Sequence, residues 1–562
     1  MKTSNNPTWW QYALGVLAAF LVAFEVYGPA LNGPFVYDDV YLPFMNPVYL
    51  DKSLAFWANV RPLLMASYWM NYQSSGIEPY AYHWFNIFLH FLNAVLVYVV
   101  IRKFLAMAGE SGWLRQTLAI FAGALFLLHP IQTESVAYVA SRSETMSILF
   151  FLGALAVFLY RKSEAISVPV VIAVLVLFGL ACLTKEHTTV LPVLLLLTDY
   201  YWNPGFRMQG IRRNWKLYVP ILIGGVLGVA AVFTMLKASR SAGFDLRDLQ
   251  WYQYLFTQFR SVWMYLKMFV LPVGLNIDHD FPVSKTIFDQ GAIFYLVGLL
   301  VLVALAWKYR RTHPLASYGF FGFLILLAPT SSVVPIQDVL VEHRVYLPFI
   351  CLLLITIEFL RRWKVGRGTM IATLGAVLVI AGTLSYQRNE LWANPVGLWQ
   401  DTVNKSPKKA RPYFQLAYAQ MQAGQCQTAV QNYEMVAKLE PADQSLLIDW
   451  ALAEDCALQT SVAIGRLKQA AQMTPSAHVY SLIGMMYGKQ GRVPESLDAL
   501  ATAEKLDPRY EMIFVYRGND YLGIGNFSGA AAEFGHAISI NPLNQIAING
   551  LAMANKKLRA SK

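Results

Sequence analysis

Apolar runs of about 15–25 residues, separated by short polar loops, fill the chain as far as residue 387. Runs of that length approach the ~20 residues that carry an α-helix across a bilayer. They predict transmembrane helices at about 9–28, 82–101, 116–130, 143–160, 167–184, 187–201, 217–236, 289–307, 315–329, 345–360 and 369–386, eleven in all. The first run ends without the small-residue exit of a cleavable signal, so it reads as a retained helix. The stretch 252–273 is also apolar, but Arg260 and Lys267 stand in its middle. It is read as an interfacial or re-entrant helix that does not cross.

Beyond 387 the pattern changes to polar, alanine-rich and glutamine-rich sequence. Prolines recur at Pro407, Pro441, Pro475, Pro508 and Pro542, with intervals of 34, 34, 33 and 34 residues. That is the period of the tetratricopeptide repeat (TPR), a helix pair with small and aromatic residues at fixed places. Phe514, Gly518, Tyr521, Gly525, Ala530, Phe534 and Ala537 fill those places in the fourth repeat, and Tyr480, Gly484, Tyr487, Gly491 and Ala503 in the third. The second repeat carries Leu458 where the turn glycine belongs. Four repeats and a last helix near 543–560 predict a short solenoid. The expected fold is therefore all-α, a polytopic unit over 1–386 followed by a repeat domain over 387–562.

Composition agrees with a membrane class: 56% of residues are hydrophobic and 14% charged, against roughly 25% charged in soluble domains. The net charge of +11 needs no nucleic-acid partner, because basic residues orient membrane helices by collecting in cytoplasmic loops. Such clusters fall at Arg102/Lys103/Arg115, Arg161/Lys162, Arg207/Arg212/Arg213/Lys216, Lys308/Arg310/Arg311 and Arg361/Arg362/Lys364/Arg367. If all five face the cytoplasm, the first loop (about 29–81) and the repeats lie on the opposite side. Of the four cysteines, Cys426 and Cys456 lie in the repeats, and their spacing does not decide whether they pair.

The outer loops then hold a second set of polar residues: Asp38, Asp39 and Arg61; His129, Glu134, Arg142 and Glu144; Lys185, Glu186 and His187; Asp278, His279 and Asp280; Glu342, His343 and Arg344. Charges at a membrane boundary pair, line a cavity or act. Arg142, Lys185 and Arg344 run against the positive-inside bias, so they pair with carboxylates or meet an anion such as a lipid-linked phosphate. Glu134 and Arg142, eight residues apart, would share one face of a continuous helix. Either Asp38 or Asp39 can accept a proton from a hydroxyl. A turn cap or helix N-cap is the structural alternative. Two carboxylates and an imidazole at Asp278, His279 and Asp280 make a divalent metal conceivable, and none is assigned.

The stretches FVYDD, RPLLMASYWMNY, LFLLHPIQTESVAYVASRSETMSILFF, TKEHTTVLPVLLLLTDYY and VEHRVYLPF follow one another in that order. Together with the repeats, they resemble the transmembrane and TPR-containing O-mannosyltransferases of the GT-C glycosyltransferase superfamily. The resemblance implies a polyprenyl-phosphate-linked sugar as donor and Ser or Thr of a secreted or envelope protein as acceptor, bound through the repeats. It implies catalysis on the non-cytoplasmic side by an acidic residue of the first outer loop, which matches Asp38 and Asp39. Arg142, Lys185, Arg344 and Arg61 are the expected phosphate ligands. His129, Glu134, Glu186, His187, His279, Glu342 and His343 are further site candidates. The compact size points to a bacterial inner-membrane protein with periplasmic repeats, or to the endoplasmic reticulum membrane in a eukaryote. The competing readings are a GT-C enzyme acting on a lipid or polysaccharide, and a non-enzymatic membrane scaffold.

Overall fold

The computed structural model describes residues 8–46, 49–50, 52–58, 61–238 and 242–560. Helices joined by turns and irregular loops make up these residues, and the only β pairing among them is one isolated bridge, Ala242 to Ile336. The chain divides into two compact units, Met1–Leu398 and Trp399–Lys562. The change in composition at 387 falls inside the helix Arg367–Trp392, whose last turns are polar.

In the first unit every expected span lies on a helix, but the helices differ in reach. Trp9–Val26, Pro79–Met107, Val139–Leu159, Asp289–Lys308 and Arg367–Trp392 are long and apolar enough to cross a bilayer. Gly112–Leu128 and Pro130–Ala137 make a sixth if counted as one span bent by 49°. Val168–Cys182, Trp215–Gly228, Pro314–Leu327 and Phe349–Leu360 are apolar but shorter. Leu191–Trp202 has 12 residues, a rise of about 18 Å, well under the ~30 Å of hydrocarbon. By length and composition the described residues thus supply five or six full crossings, against the eleven expected. The reason is local: runs that read as continuous are broken by 3-10 turns such as Pro130–Gln132, Glu186–Val190 and Glu342–Val345.

The stretch 252–273 forms the helix Trp251–Val270, which is not among the apolar helices. Its buried face carries Tyr254, Thr257, Gln258, Ser261 and Tyr265 at helical spacing. Gln258 donates to the Val339 carbonyl at 2.9 Å.

The described residues of the loop over about 29–81 carry short helices of their own. Its 3-10 turns Gly28–Asn32, Tyr37–Tyr41 and Pro43–Met45 precede the helix Pro62–Ser75. Phe44, Trp57, Leu64, Tyr68, Tyr82 and Val139 give the loop a small core of its own. Gly33 permits a close approach, since a Cβ there would meet the Trp392 carbonyl oxygen at 3.0 Å.

The second unit is a TPR α-solenoid of antiparallel helix pairs: Ala410–Gln422 with Cys426–Leu439, Gln444–Cys456 with Thr460–Met473, Ala477–Lys489 with Val493–Leu506, and Met512–Gly523 with Phe527–Ile540. Gln545–Ala560 follows as the last helix. A Cβ on Gly518 would strike the Phe534 ring at 2.9 Å, so the small and large positions of the motif fit one another. The intra-pair turns need a left-handed residue. Gly424, Gly491 and Gly525 supply it at φ near 74°, 73° and 80°, and Leu458 adopts it at 63° without glycine's freedom.

Cys426 and Cys456 form a disulfide that joins the first repeat to the second, with Cα atoms 5.6 Å apart. Cys182 and Cys351 are free thiols. Protein denatured without reductant should therefore leave Cys426 and Cys456 unlabelled by iodoacetamide and label the other two. Labelling of all four under those conditions would show that the bridge does not form in the cell.

Candidate functional site

Many of the polar residues singled out from the loops come together as alternating acids and bases. Asp39 is fully buried on the turn Tyr37–Tyr41. Its Oδ2 accepts from the Val36 N–H at 3.1 Å and its Oδ1 from the Ala140 N–H at 2.7 Å. Burial pushes its carboxyl up to about 8, against the pull of those two N–H donors. The adjacent Asp38 is exposed. Its backbone N–H donates to the Tyr138 hydroxyl at 2.9 Å. One aspartate thus pins the loop to residues 138–140, and the other is presented to the outside.

Arg61 stands at φ 52° immediately before the helix Pro62–Ser75. Its guanidinium grips Glu186 with two bonds, Nε to Oε2 at 3.0 Å and Nη2 to Oε1 at 2.5 Å. Burial alone would raise the Glu186 carboxyl, but the Arg61 charge overrides it and holds it at about 2. About a third of each of these two side chains remains exposed. Next in sequence, Lys185 Nζ meets Glu144 Oε1 at 2.5 Å and donates to Ser143 Oγ at 3.2 Å. His187 Nε2 lies 3.4 Å from the other Glu144 oxygen.

A second group continues the series. Glu134 is buried; its Oε2 accepts from the Glu342 N–H at 3.1 Å, and its Oε1 meets His343 Nδ1 at 2.6 Å. Glu342 Oε1 accepts from the Asn276 N–H and lies 3.0 Å from His279 Nε2. His343 is also near enough to Glu144 to act on it electrostatically. Arg61, Lys185, His187, His279 and His343 are therefore all drawn to buried or half-buried carboxylates.

Two of the expected phosphate ligands sit elsewhere. Arg142 is fully buried. It donates from Nε to Asn86 Oδ1 at 2.8 Å, from Nη1 to Ser67 Oγ at 3.3 Å and from Nη2 to the Tyr82 carbonyl at 3.1 Å. Its guanidinium lies 4.5 Å from the Tyr68 ring and 4.8 Å from that of Phe85. Arg344, also buried, donates to Tyr254, Val339 and Asp338. Glu134 and Arg142 do not pair. The helix Thr133–Ala137 ends at Tyr138 and a 3-10 turn intervenes before Arg142, so the rotation that would align them is interrupted. His129 is buried and bonded on both ring nitrogens: its Nδ1 accepts from the Ile131 N–H at 3.3 Å and its Nε2 donates to the Phe269 carbonyl at 3.0 Å.

Asp278 is buried, Asp280 is exposed, and His279 turns to Glu342. Among the described residues no three His, Cys, Asp or Glu side chains gather into a metal-holding group. Tyr138, Tyr68 and Asn86 shape the site without having been singled out from sequence. Tyr138 shares the segment SVAYVASRS with Arg142, which was the available signal.

The chain is similar to several protein O-mannosyl-transferases. Protein O-mannosyl-transferase F38B6.6 of Caenorhabditis elegans is 23% identical over 444 residues, covering 74% of this chain and 61% of that protein. Human TMTC1 is 24% identical over 496 residues, covering 75% and 54%. Drosophila melanogaster Tmtc3 is 24% identical over 456 residues, covering 68% and 48%. The chain thus spans about half to three fifths of the length of these relatives. No protein-family profile matches it. Among solved structures, the TPR protein YrrB is 17% identical, covering 32% of this chain and 88% of that one, with a TM-score of 0.24.

Proposed function

We propose that this chain transfers a sugar from a polyprenyl-phosphate donor to Ser or Thr hydroxyls of secreted or envelope proteins, on the non-cytoplasmic side of its membrane. The observation that carries this reading is the division of labour between Asp38 and Asp39. Asp39 is clamped at both oxygens, so Asp38 is presented on a fixed loop. Similarity to protein O-mannosyl-transferases over three quarters of the chain supports the reaction class.

In this reading Asp38 takes the proton of the acceptor hydroxyl as its oxygen attacks the anomeric carbon. The bond from that carbon to the phosphate oxygen breaks, the lipid phosphate leaves with both electrons, and the anomeric configuration inverts. The departing phosphate needs its charge met and needs no proton. In this reading the partly buried Arg61 and Lys185, each oriented by its carboxylate, meet that charge, and His343 beside Glu134 is a further hydrogen-bonding group. Arg142 and Arg344 hold the walls from inside. No metal is given a role. The TPR unit holds the acceptor polypeptide, and its disulfide suits an oxidising compartment such as the periplasm or the endoplasmic reticulum lumen.

The test is purified protein with a synthetic polyprenyl-phosphate hexose and a Ser/Thr peptide, followed by mass spectrometry of the peptide. Gain of one hexose is expected. An unmodified peptide alongside an elongated lipid or glycan acceptor would overturn the choice of acceptor. In the same assay Arg61→Ala should raise the donor KM about tenfold, the worth of one charge-assisted hydrogen bond. Its melting temperature should barely move, because an ion pair about a third exposed on each side contributes little stability. An unchanged KM would remove Arg61 from the donor site.

A further inference from the structure

The first unit carries two grooves where the helices Ala292–Lys308, Pro314–Leu327 and Phe349–Leu360 meet. One, of about 540 Å³, is lined by Leu305, Tyr309, Ala316, Phe320, Ile355 and Phe359 among others. The second, of about 500 Å³, is lined by Thr356, Phe359, Leu360, Arg362 and Trp363. Phe359 belongs to both and is largely exposed. Two apolar grooves that share one wall suit two hydrocarbon chains lying side by side.

The rim of these grooves is strongly basic. Lys308, Arg310 and Arg311 occupy the turn between the first two helices, and Arg361, Arg362 and Lys364 follow the third. Arg361 is neutralised by Glu110 and Glu358, and Arg362 shares Glu358. Among the described residues Lys308, Arg310 and Arg311 have no carboxylate within ion-pair distance. Arg310 lies over the Trp307 ring at 4.1 Å and bonds the Trp307 carbonyl at 2.6 Å. Its buried Nε has no hydrogen-bond partner in the protein. Charge without a counter-charge, beside an apolar double groove at a membrane boundary, calls for an anion with hydrocarbon tails.

We infer that this end of the helical unit is a binding site for one diacyl anionic phospholipid, with its phosphate among Lys308, Arg310 and Arg311 and its chains in the grooves that share Phe359. The site is independent of the glycosyl-transfer reading. None of the residues that line it belongs to the candidate site, so it acts as an anchor for the three helices and not as a second donor site.

Native mass spectrometry of the full-length protein in detergent, titrated with phosphatidylglycerol or with phosphatidylcholine of the same chains, tests this directly. One tightly held phosphatidylglycerol is expected, at least about tenfold tighter than phosphatidylcholine, because each basic residue near a headgroup adds to the preference. The triple variant Lys308→Gln, Arg310→Gln, Arg311→Gln should lose that preference. A control variant, Arg207→Gln, Arg212→Gln, Lys216→Gln, removes the same charge from another basic cluster and should keep it. Phe359→Trp, which narrows both grooves, should weaken both lipids alike. Equal binding of the two lipids, or equal loss in the two triple variants, would reduce the patch to general surface attraction and overturn the site. Circular dichroism of each variant guards against misfolding.

Discussion

Asp38→Asn should lose transfer by about 10²–10⁴-fold, the usual contribution of a positioned general base, with the melting temperature and donor binding close to those of the parent. Asparagine preserves the shape of the side chain and its place on the loop but cannot take the acceptor proton. Asp39→Asn should behave in the opposite way. Its two oxygens accept from Val36 and Ala140, and an amide offers one acceptor where two are required. One N–H donor would then face an NH₂ group, at a cost of about 1–3 kcal/mol. The variant should melt lower and keep much of its turnover per folded molecule. Rates and melting curves of both purified variants separate the two roles. If Asp38→Asn stayed within a few-fold of the parent, the base would have to be sought in Glu186 or Glu342.

Arg142→Ala should be the most destabilising single substitution in the site, by about 3–5 kcal/mol, from a cavity and three stranded acceptors. Asn86 Oδ1, Ser67 Oγ and the Tyr82 carbonyl would lose their donor, and the Tyr68 and Phe85 rings their cation. Arg142→Lys should not rescue it, because an ammonium cannot reach three divergent acceptors from one planar fork. Lower yield and melting temperature, with an unchanged donor KM in whatever folds, is the expected pattern. A variant that melts like the parent but needs more donor would place Arg142 in the donor pocket instead.

Sequence made some of this legible because the signals were long or periodic. A 20-residue apolar run and a 34-residue proline interval each exceed what local noise produces, so the helices of the first unit and the four repeats lie where they were expected. Leu458 in the left-handed turn follows from its register alone. What sequence could not reach is pairing across distance. Lys185 meets Glu144, 41 residues away, and His343 meets Glu134, 209 residues away. Helical periodicity offered only the near pair Glu134 and Arg142, and three residues of 3-10 turn were enough to defeat it. The same kind of break, invisible in hydropathy, shortened several spans. That Asp38 and Asp39 differ in exposure also depends on Ala140, which no pattern near residue 39 announces.

The bridge between Cys426 and Cys456 gives the solenoid an uneven mechanical profile. A stack of repeats is held by each unit's own stability and by its contacts with the next, so under tension it opens at the ends or at its softest join. The second repeat, with a leucine strained into a glycine's turn, would be that join. A covalent link to the first repeat makes the pair open as one block. Pulling forces should therefore peel helices from the Gln545–Ala560 end and stall at the second repeat. The first two repeats then behave as a stiff block, and the last two as the compliant arm of the solenoid.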